Sequence, residues 1–341
     1  MGHLRFTIDD LQLTICNLRI GTRGSELALA QARQAAAALQ QAHPGLQCEL
    51  RIIHTAGDQR TDIPLSEVNK ATGTGDKGVF IAAIEEALAA GEIDCAVHSL
   101  KDMPGALDPR FTLAAVLPRE QAEDVLVERE DADAAHPVVA TGSVRRAHLV
   151  KLLWPAARTV PVRGNVATRL RKLAESTEAT STLLARAGLN RLGYTSDTME
   201  VCGRTLHLRP LPVEDFPPAL GQGIIALETR VDDAAATALV SAVNHVPTSR
   251  CMRAERRFLD LLNADCSVPV AGLATEDAAG LMTLRITYFT PQGRCIRLSH
   301  TASPSDTPEA LAQCVYTQLE CTMYNVQCTN PNNAAPPARG E

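Results

Sequence analysis

A short apolar strand, a polar turn and then a helix recur along this chain, and the whole pattern restarts once part-way. Few folds satisfy it, because strand-helix-strand units pack as a largely parallel sheet joined by right-handed crossovers. In the first run, Arg19-Ile20-Gly21-Thr22-Arg23 reads as a strand entering a turn. Ser25 caps an Ala-rich helix from Glu26 to Gln41, which His43-Pro44-Gly45 ends. Glu49 to His54 alternates as a strand, and 56–78 is a polar, Gly-containing loop. Val79 to Ala90 follows as a helix stopped by Gly91, and Ile93 to Val97 as a buried strand that delivers His98 to Pro104.

The restart comes after Arg119-Glu120. Strands at 138–140, 159–162 and 181–185 each run into a turn and a helix: Thr141-Gly142-Ser143, Arg163-Gly164-Asn165 and Ala187-Gly188-Leu189. Gly221-Gln222-Gly223 then carries the chain back to the first unit, and crossing twice is the wiring of a hinged pair. Beyond about Ala242 the character changes. Cys251 to Leu262 is an amphipathic helix, Leu281 to Phe289 and Cys295 to His300 form a hairpin around Pro291-Gln292-Gly293, and a helix runs from Thr307 to Met323. The expected units are 18–117 with 218–238, 118–217, and a small α+β unit at 239–325. Extensions cover 1–17 and 326–341, and the Pro- and Asn-rich tail reads as disordered.

Bulk properties narrow the function. A chain of 341 residues is long for one core. Aromatics at 3% are too sparse for stacking on single strands, and a formal net charge of −6 argues against a general nucleic-acid binder. No apolar run approaches a membrane span, and no export signal is visible, so the expected location is the cytoplasm. The ten cysteines show no metal-ligand spacing, no metal is expected, and most should be buried reduced thiols.

The chemistry lies at strand ends. Arg23, Arg145, Arg146, Arg163 and Arg169 all fall in or beside turns that open helices, the edge of an α/β sheet where ligands bind. Free N–H groups of the helix ends and planar guanidinium forks suit carboxylates or phosphates there. Solvated surface charge is the alternative for any one of them. Asp102 follows a strand beside Lys101; it is either a loop carboxylate with a cation neighbour or an acid tuned for proton transfer. His98 reads as a structural hydrogen-bonding histidine. Cys266 is either a core thiol or, given its polar neighbours Asp265 and Ser267, an accessible nucleophile or attachment point. Gly73-Thr74-Gly75-Asp76-Lys77-Gly78 matches a dinucleotide fingerprint by letter, but it follows a polar loop rather than a strand and lacks the context that motif needs.

Seven segments taken together carry a resemblance. Arg19 to Ser25, Val97-His-Ser-Leu-Lys-Asp-Met-Pro104, Ser143-Val-Arg-Arg146, Val162-Arg-Gly-Asn165, Ala187-Gly-Leu189, Gly221-Gln-Gly223 and Cys266-Ser-Val-Pro269 resemble, in order and spacing, the hydroxymethylbilane synthase (porphobilinogen deaminase) family. The resemblance covers roughly residues 18 to 300. It implies two α/β domains built like periplasmic solute-binding proteins, joined by a hinge, plus a small C-terminal α+β domain. It implies one dipyrromethane cofactor per chain, joined by a thioether to Cys266, and stepwise condensation of four porphobilinogen molecules with loss of ammonia before hydrolytic release of hydroxymethylbilane.

By the same resemblance, Asp102 is the catalytic acid that contacts pyrrole N–H groups and stabilises a cationic intermediate. Lys77, Ser99, Lys101, Thr141, Ser143, Arg145 and Arg146 are implied cofactor ligands. Arg23, Ser25, Arg163, Gly164, Asn165, Arg169, Ala187, Gly188 and Gln222 are implied substrate ligands. The implied enzyme is a monomer that binds neither nucleic acid nor membrane. A divergent paralogue of reduced activity and a non-catalytic binder of carboxylated ligands are the competing readings. The chain departs from the family pattern at Asp265, which stands where glycine is usual before the cofactor cysteine, and at Gly142, which replaces a serine. It departs again at Ala56, at Glu67 and in a longer 68–77 loop, an expected active-site flap.

Overall fold

The computed structural model describes residues 17–54, 81–132, 137–263, 268–303 and 305–324. Lys77, Asp265, Cys266, the 68–77 loop, Ala56, Glu67 and the 326–341 tail lie outside the described residues.

The first unit begins with β1 (Asn17–Thr22), whose Leu18 and Ile20 are fully buried. Helix α1 (Glu26–Ala42) follows, with Ser25 Oγ accepting from Ala28 N at 3.3 Å as its cap. The helix buries Gln31, Ala32, Ala35, Ala36 and Leu39, an apolar stripe at helical spacing with one polar intruder. Leu39 alone contributes about 1.5–3 kcal/mol by leaving water. β2 (Gln47–Ile52), α2 (Ala82–Ala89), β3 (Cys95–Ser99) and β4 (Phe111–Val116) complete the forward run. A single 3₁₀ turn, Leu100–Asp102, ends β3 and carries the acid.

The second unit runs β5 (Asp124–Arg129), β6 (Val138–Ala140), α3 (Val144–Leu153), β7 (Arg158–Val160), α4 (Val166–Glu175), β8 (Ser181–Ala185), α5 (Arg186–Arg191), β9 (Thr198–Val201) and β10 (Arg204–Pro210). The chain then returns as β11 (Ile225–Arg230), followed by α6 (Ala234–Ser241), α7 (Val246–Leu261), β12 (Val270–Glu276), β13 (Met282–Phe289), β14 (Cys295–Thr301) and α8 (Pro308–Tyr324).

Three sheets result, ordered β2-β1-β3-β11-β4, β7-β6-β8-β5-β10-β9 and β12-β13-β14. The first two are mixed rather than parallel, which corrects the expectation from sequence. β1 pairs in parallel with β2 and β3, but the returning β11 lies antiparallel between β3 and β4. Likewise β6 is parallel to β7 and β8, whereas β5 is antiparallel to β8 and β10. The returning β11 and the entering β5 run against the prevailing direction, and a pattern of forward strand-helix units does not reveal that.

The two crossing segments lie side by side: Leu117 N donates to Ile225 O at 3.1 Å and Glu120 N to Gly223 O at 3.1 Å. Gly223 has φ +89°, and a Cβ there would sit 2.3 Å from Glu120 O, so this contact requires glycine.

The third sheet packs with α7 and α8 around Phe258, Leu284, Ile286, Leu311 and Val315. It also reaches both other units. Ala271 and Phe289 join a core with Leu149, Val150 and Leu183, and Met252 joins one with Leu100 and Met103. Cys48, Cys95, Cys202, Cys251, Cys295 and Cys314 are free thiols, while Cys321 is disulfide-bonded.

Candidate active site

Asp102 is exposed at the end of β3, where the 3₁₀ turn aims it out of the sheet edge. A cavity of about 70 Å³ beside it is lined by Arg23, Ser25, Gln31, His98, Ser99 and Asp102. Its floor is held by exchanged hydrogen bonds between Gln31 and Ser99, at 2.8 and 3.0 Å. His98 is structural, as its sequence context indicates: Nε2 lies 3.0 Å from the buried Glu228 carboxylate.

Facing this edge are the three turns of the second sheet. Among the described residues, the Arg169 side chain on α4 makes one hydrogen bond, from Nε to Gly164 O at 2.8 Å. Burial, together with Arg146, pulls its guanidinium down to about 10, while Asp102 partly offsets them. The side chain is therefore a cation short of partners within electrostatic reach of the acid. Arg163 buries an Nη1 that has no hydrogen-bond partner among the described residues. Lys101 donates to Gln222 Oε1 at 3.1 Å, and burial plus Arg146 pull its ammonium down to about 8. Desolvated cations of this kind favour an arriving carboxylate, which restores the charge balance that burial removed.

Several expected ligands spend their side chains locally. Ser25, Ser143 and Asn165 cap α1, α3 and α4, accepting from Ala28 N, Arg146 N and Thr168 N. Thr141 Oγ1 accepts from Ser143 N at 3.2 Å. Gly164, at φ +120°, makes the turn that presents Arg163, and Ala187 and Gly188 are buried where α5 meets α1. Gly142 lies so close to the neighbouring turn that a Cβ would meet Val162 O at 2.8 Å.

Three of the expected ligands have side chains that are already engaged. Arg145 and Arg146, read as open carboxylate forks, are 6% and 5% exposed and already paired. Both bind the fully buried Asp124, each Nη2 at 2.7 Å, and they also donate to the carbonyls of Pro217 and Leu183. They share α3's inward face with Leu149 and Val150, so they supply positive potential rather than free donors. Gln222, read as a substrate ligand, is fully buried with both amide ends engaged. Its Nε2 donates to Asp124 Oδ1 at 2.9 Å and to Ala122 O at 2.7 Å, and its Oε1 accepts from Lys101. It is a strut between the acid's loop and the arginine pair.

Sequence reasoning missed Asp124, Glu255 and Arg191. Burial by itself would raise the Asp124 carboxyl, but Arg145 and Arg146 outweigh it and hold that carboxyl below the usual range. Its one signal in the sequence is its place at the head of the apolar run Val125-Leu126-Val127, next to Glu123. Glu255 of α7 ion-pairs with Arg119 at 2.6 Å and accepts from Gly221 N and Ala274 N, so the third unit is fastened to the hinge. Arg191 of α5 donates to Gly223 O at 2.7 Å, leaves a buried Nε unpartnered, and is pulled down to about 10 by burial.

The sequence that builds this cleft matches known proteins. A family model described as "Porphobilinogen deaminase, dipyromethane cofactor binding domain" covers residues 18–238. The chain belongs to the porphobilinogen deaminase family. A second model, the porphobilinogen deaminase C-terminal domain, covers residues 249–320. The porphobilinogen deaminase of Sphingopyxis alaskensis is 45% identical over 81% of this chain and 85% of its own length. That of Syntrophomonas wolfei is 42% identical over 76% and 80%.

Among solved structures, the periplasmic VFT2 domain of Bordetella pertussis BvgS matches 71% of this chain and 93% of its own, at 14% identity and TM-score 0.40. The methionine binding protein MetQ matches 67% and 90%, at 11% identity and TM-score 0.37. Among the described residues, no helix is long and apolar enough to cross a membrane.

Proposed function

We propose that this cleft condenses four porphobilinogen molecules head to tail, each with loss of ammonia, and then releases linear hydroxymethylbilane by hydrolysis. Membership of the porphobilinogen deaminase family makes the chain a transferase of tetrapyrrole synthesis. The observation that carries the reading is the set of half-buried, under-partnered cations around Asp102: Lys101, Arg163 and Arg169. Each porphobilinogen brings two carboxylates, so a growing chain needs more cations than an acidic protein ordinarily gathers in one place.

The same donor set suits the family's cofactor, which is itself a polycarboxylate. The dipyrromethane group, attached at Cys266, supplies the pyrrole acceptor and the tether that keeps the growing chain on the protein. Lys101 is the acid's neighbour in sequence, and Lys77 with the Thr141–Ser143 turn would complete the expected cradle. Arg145 and Arg146 act there through their charge, because Asp124 and backbone carbonyls occupy their donors.

Asp102 accepts hydrogen bonds from pyrrole N–H groups and opposes the positive charge that develops on a porphobilinogen as its ammonia leaves. A preformed carboxylate at the point where charge appears favours the transition state over the bound substrate. It also takes the proton displaced from the attacked ring carbon and passes it to solvent, to which its exposed position gives access. Arg23, Arg163 and Arg169 hold the acetate and propionate groups of incoming substrate. The helix N-termini capped by Ser25, Ser143 and Asn165 add backbone N–H groups and positive potential along that wall. The protein works as a cytoplasmic monomer without nucleic acid.

Asp102→Asn tests the assignment, because it keeps the shape and removes the charge. Ammonia release from porphobilinogen should fall by at least about 100-fold, the scale of a lost charge-stabilising group, with substrate binding largely retained. Full turnover by this variant would show that another group performs the chemistry.

A further inference from the structure

The loop that carries Asp102 is anchored by the third unit, not only by its own sheet. Gly105 lies against the backbone of α7, where a Cβ would be 3.2 Å from Asp260 N and 3.3 Å from Leu259 C. Arg256 of α7 donates from Nη2 to Gly105 O at 2.7 Å. One turn earlier on that helix, Met252 packs into the cluster that holds Leu100 and Met103, the residues on either side of Lys101 and Asp102. Arg256 is drawn to about 10 by burial, while Glu228 and Asp260 work in the opposite direction. Glu228 is the same buried carboxylate that holds His98 at the start of the loop, and its Oε1 has no hydrogen-bond partner. The segment 98–105 is therefore pinned at its head by Glu228 and at its foot by Arg256. The helix that supplies the second pin ends at Leu261 and leads directly into the segment bearing Cys266.

We propose that Arg256 is a positioning residue that holds the Asp102 loop in place through Gly105. It touches neither substrate nor the reacting atoms. A long, half-buried guanidinium fixed to a carbonyl three residues from the acid limits how far the acid drifts, because three residues of chain span at most about 10 Å. A misplacement of about 1 Å at reacting groups costs about 100-fold, so a modest loosening here is visible in turnover. The inference rests on the proposed function for its kinetic readout and on the fold alone for its structural one.

The test compares Arg256→Met, which keeps the length and removes the donor and charge, with Arg256→Lys and with Arg257→Met. Arg257 is the neighbouring residue on α7 that, among the described residues, pairs with Asp260 on a more exposed face. Backbone hydrogen exchange in residues 100–107 should quicken at least 10-fold in Arg256→Met, recover most of the way in Arg256→Lys, and stay at the parent rate in Arg257→Met. In steady-state turnover of porphobilinogen, Arg256→Met should lower kcat about 10-fold or more with KM within twofold of the parent. Parent-like exchange in Arg256→Met, or equal loosening in Arg257→Met, overturns the proposal. A parent protein that releases no ammonia would overturn the functional reading instead, and the exchange comparison would still decide the positioning role.

Discussion

Asp124→Asn isolates the electrostatic centre of the hinge. The carboxylate is fully buried and receives Arg145 Nη2 and Arg146 Nη2 at 2.7 Å, Arg146 Nε at 3.3 Å and Gln222 Nε2 at 2.9 Å. Asparagine can still accept one of those bonds, but it leaves two nearly buried guanidinium groups with no counter-charge. Removing one member of a buried ionic cluster costs about 3–5 kcal/mol. At about 4–8 °C per kcal/mol for a unit of about 100 residues, Tm should fall by at least roughly 10 °C near neutral pH.

The pH dependence has a definite sign. Because Arg145 and Arg146 hold the folded carboxyl below its unfolded value, its contribution is present above the unfolded pKa and is lost as pH falls through the folded one. The gap between parent and variant should therefore narrow below about pH 4. Thermal unfolding followed by circular dichroism, with Glu178→Gln in the exposed Arg158–Glu178 pair as control, reads both effects. A variant melting within a degree of the parent, or a gap that persists undiminished in acid, would refute the reasoning.

Three further outcomes follow from the same geometry. Arg169→Leu should raise KM for porphobilinogen about 10-fold or more, the loss of one charge-assisted contact worth about 1.5–3 kcal/mol, and an unchanged KM in steady-state assays would remove Arg169 from the substrate wall. Lys101, pulled down to about 8, should impose an alkaline limb on kcat/KM as pH rises through that value, and Lys101→Arg should push the limb higher in a pH-rate profile. Gly223→Ala brings a Cβ to 2.3 Å from Glu120 O at a backbone φ of +89°, so the crossing strands must part. The expected loss is more than about 2 kcal/mol, read as a lower urea midpoint.

Much of the fold was legible because local signals agreed with one another. Ser25, Ser143 and Asn165 announce helices in the sequence, and each caps one in the structure. The hairpin around Pro291-Gln292-Gly293 and the helix over 308–324 follow from turn chemistry and periodicity. The antiparallel β11 and the strands β4, β5, β9 and β10 were not legible, since strand direction and partner choice are set by long-range pairing.

At the site, charge type was legible and charge use was not. Arg145 and Arg146 stand one turn before Leu149 and Val150, so helical spacing already puts them on the inward face. Their partner Asp124 is 21 residues away from the first of them and could not be paired to it by any local rule. Gln222 is a ligand only as the resemblance implies, yet its amide braces Lys101 against Asp124, while the flanking Gly221 and Gly223 serve the crossing segments. Arg256 gives no signal at all, being one arginine among several on an amphipathic helix.

The most direct test of the functional account is the intact mass of the denatured protein, before and after incubation with porphobilinogen, with Cys266→Ser alongside. The account predicts an adduct equal to two porphobilinogen units less their ammonia, absent from the Cys266→Ser variant, with a ladder of further units after incubation. An unmodified chain in both samples would contradict it, and would mean that Asp265 beside the cysteine leaves a family member that cannot load its cofactor.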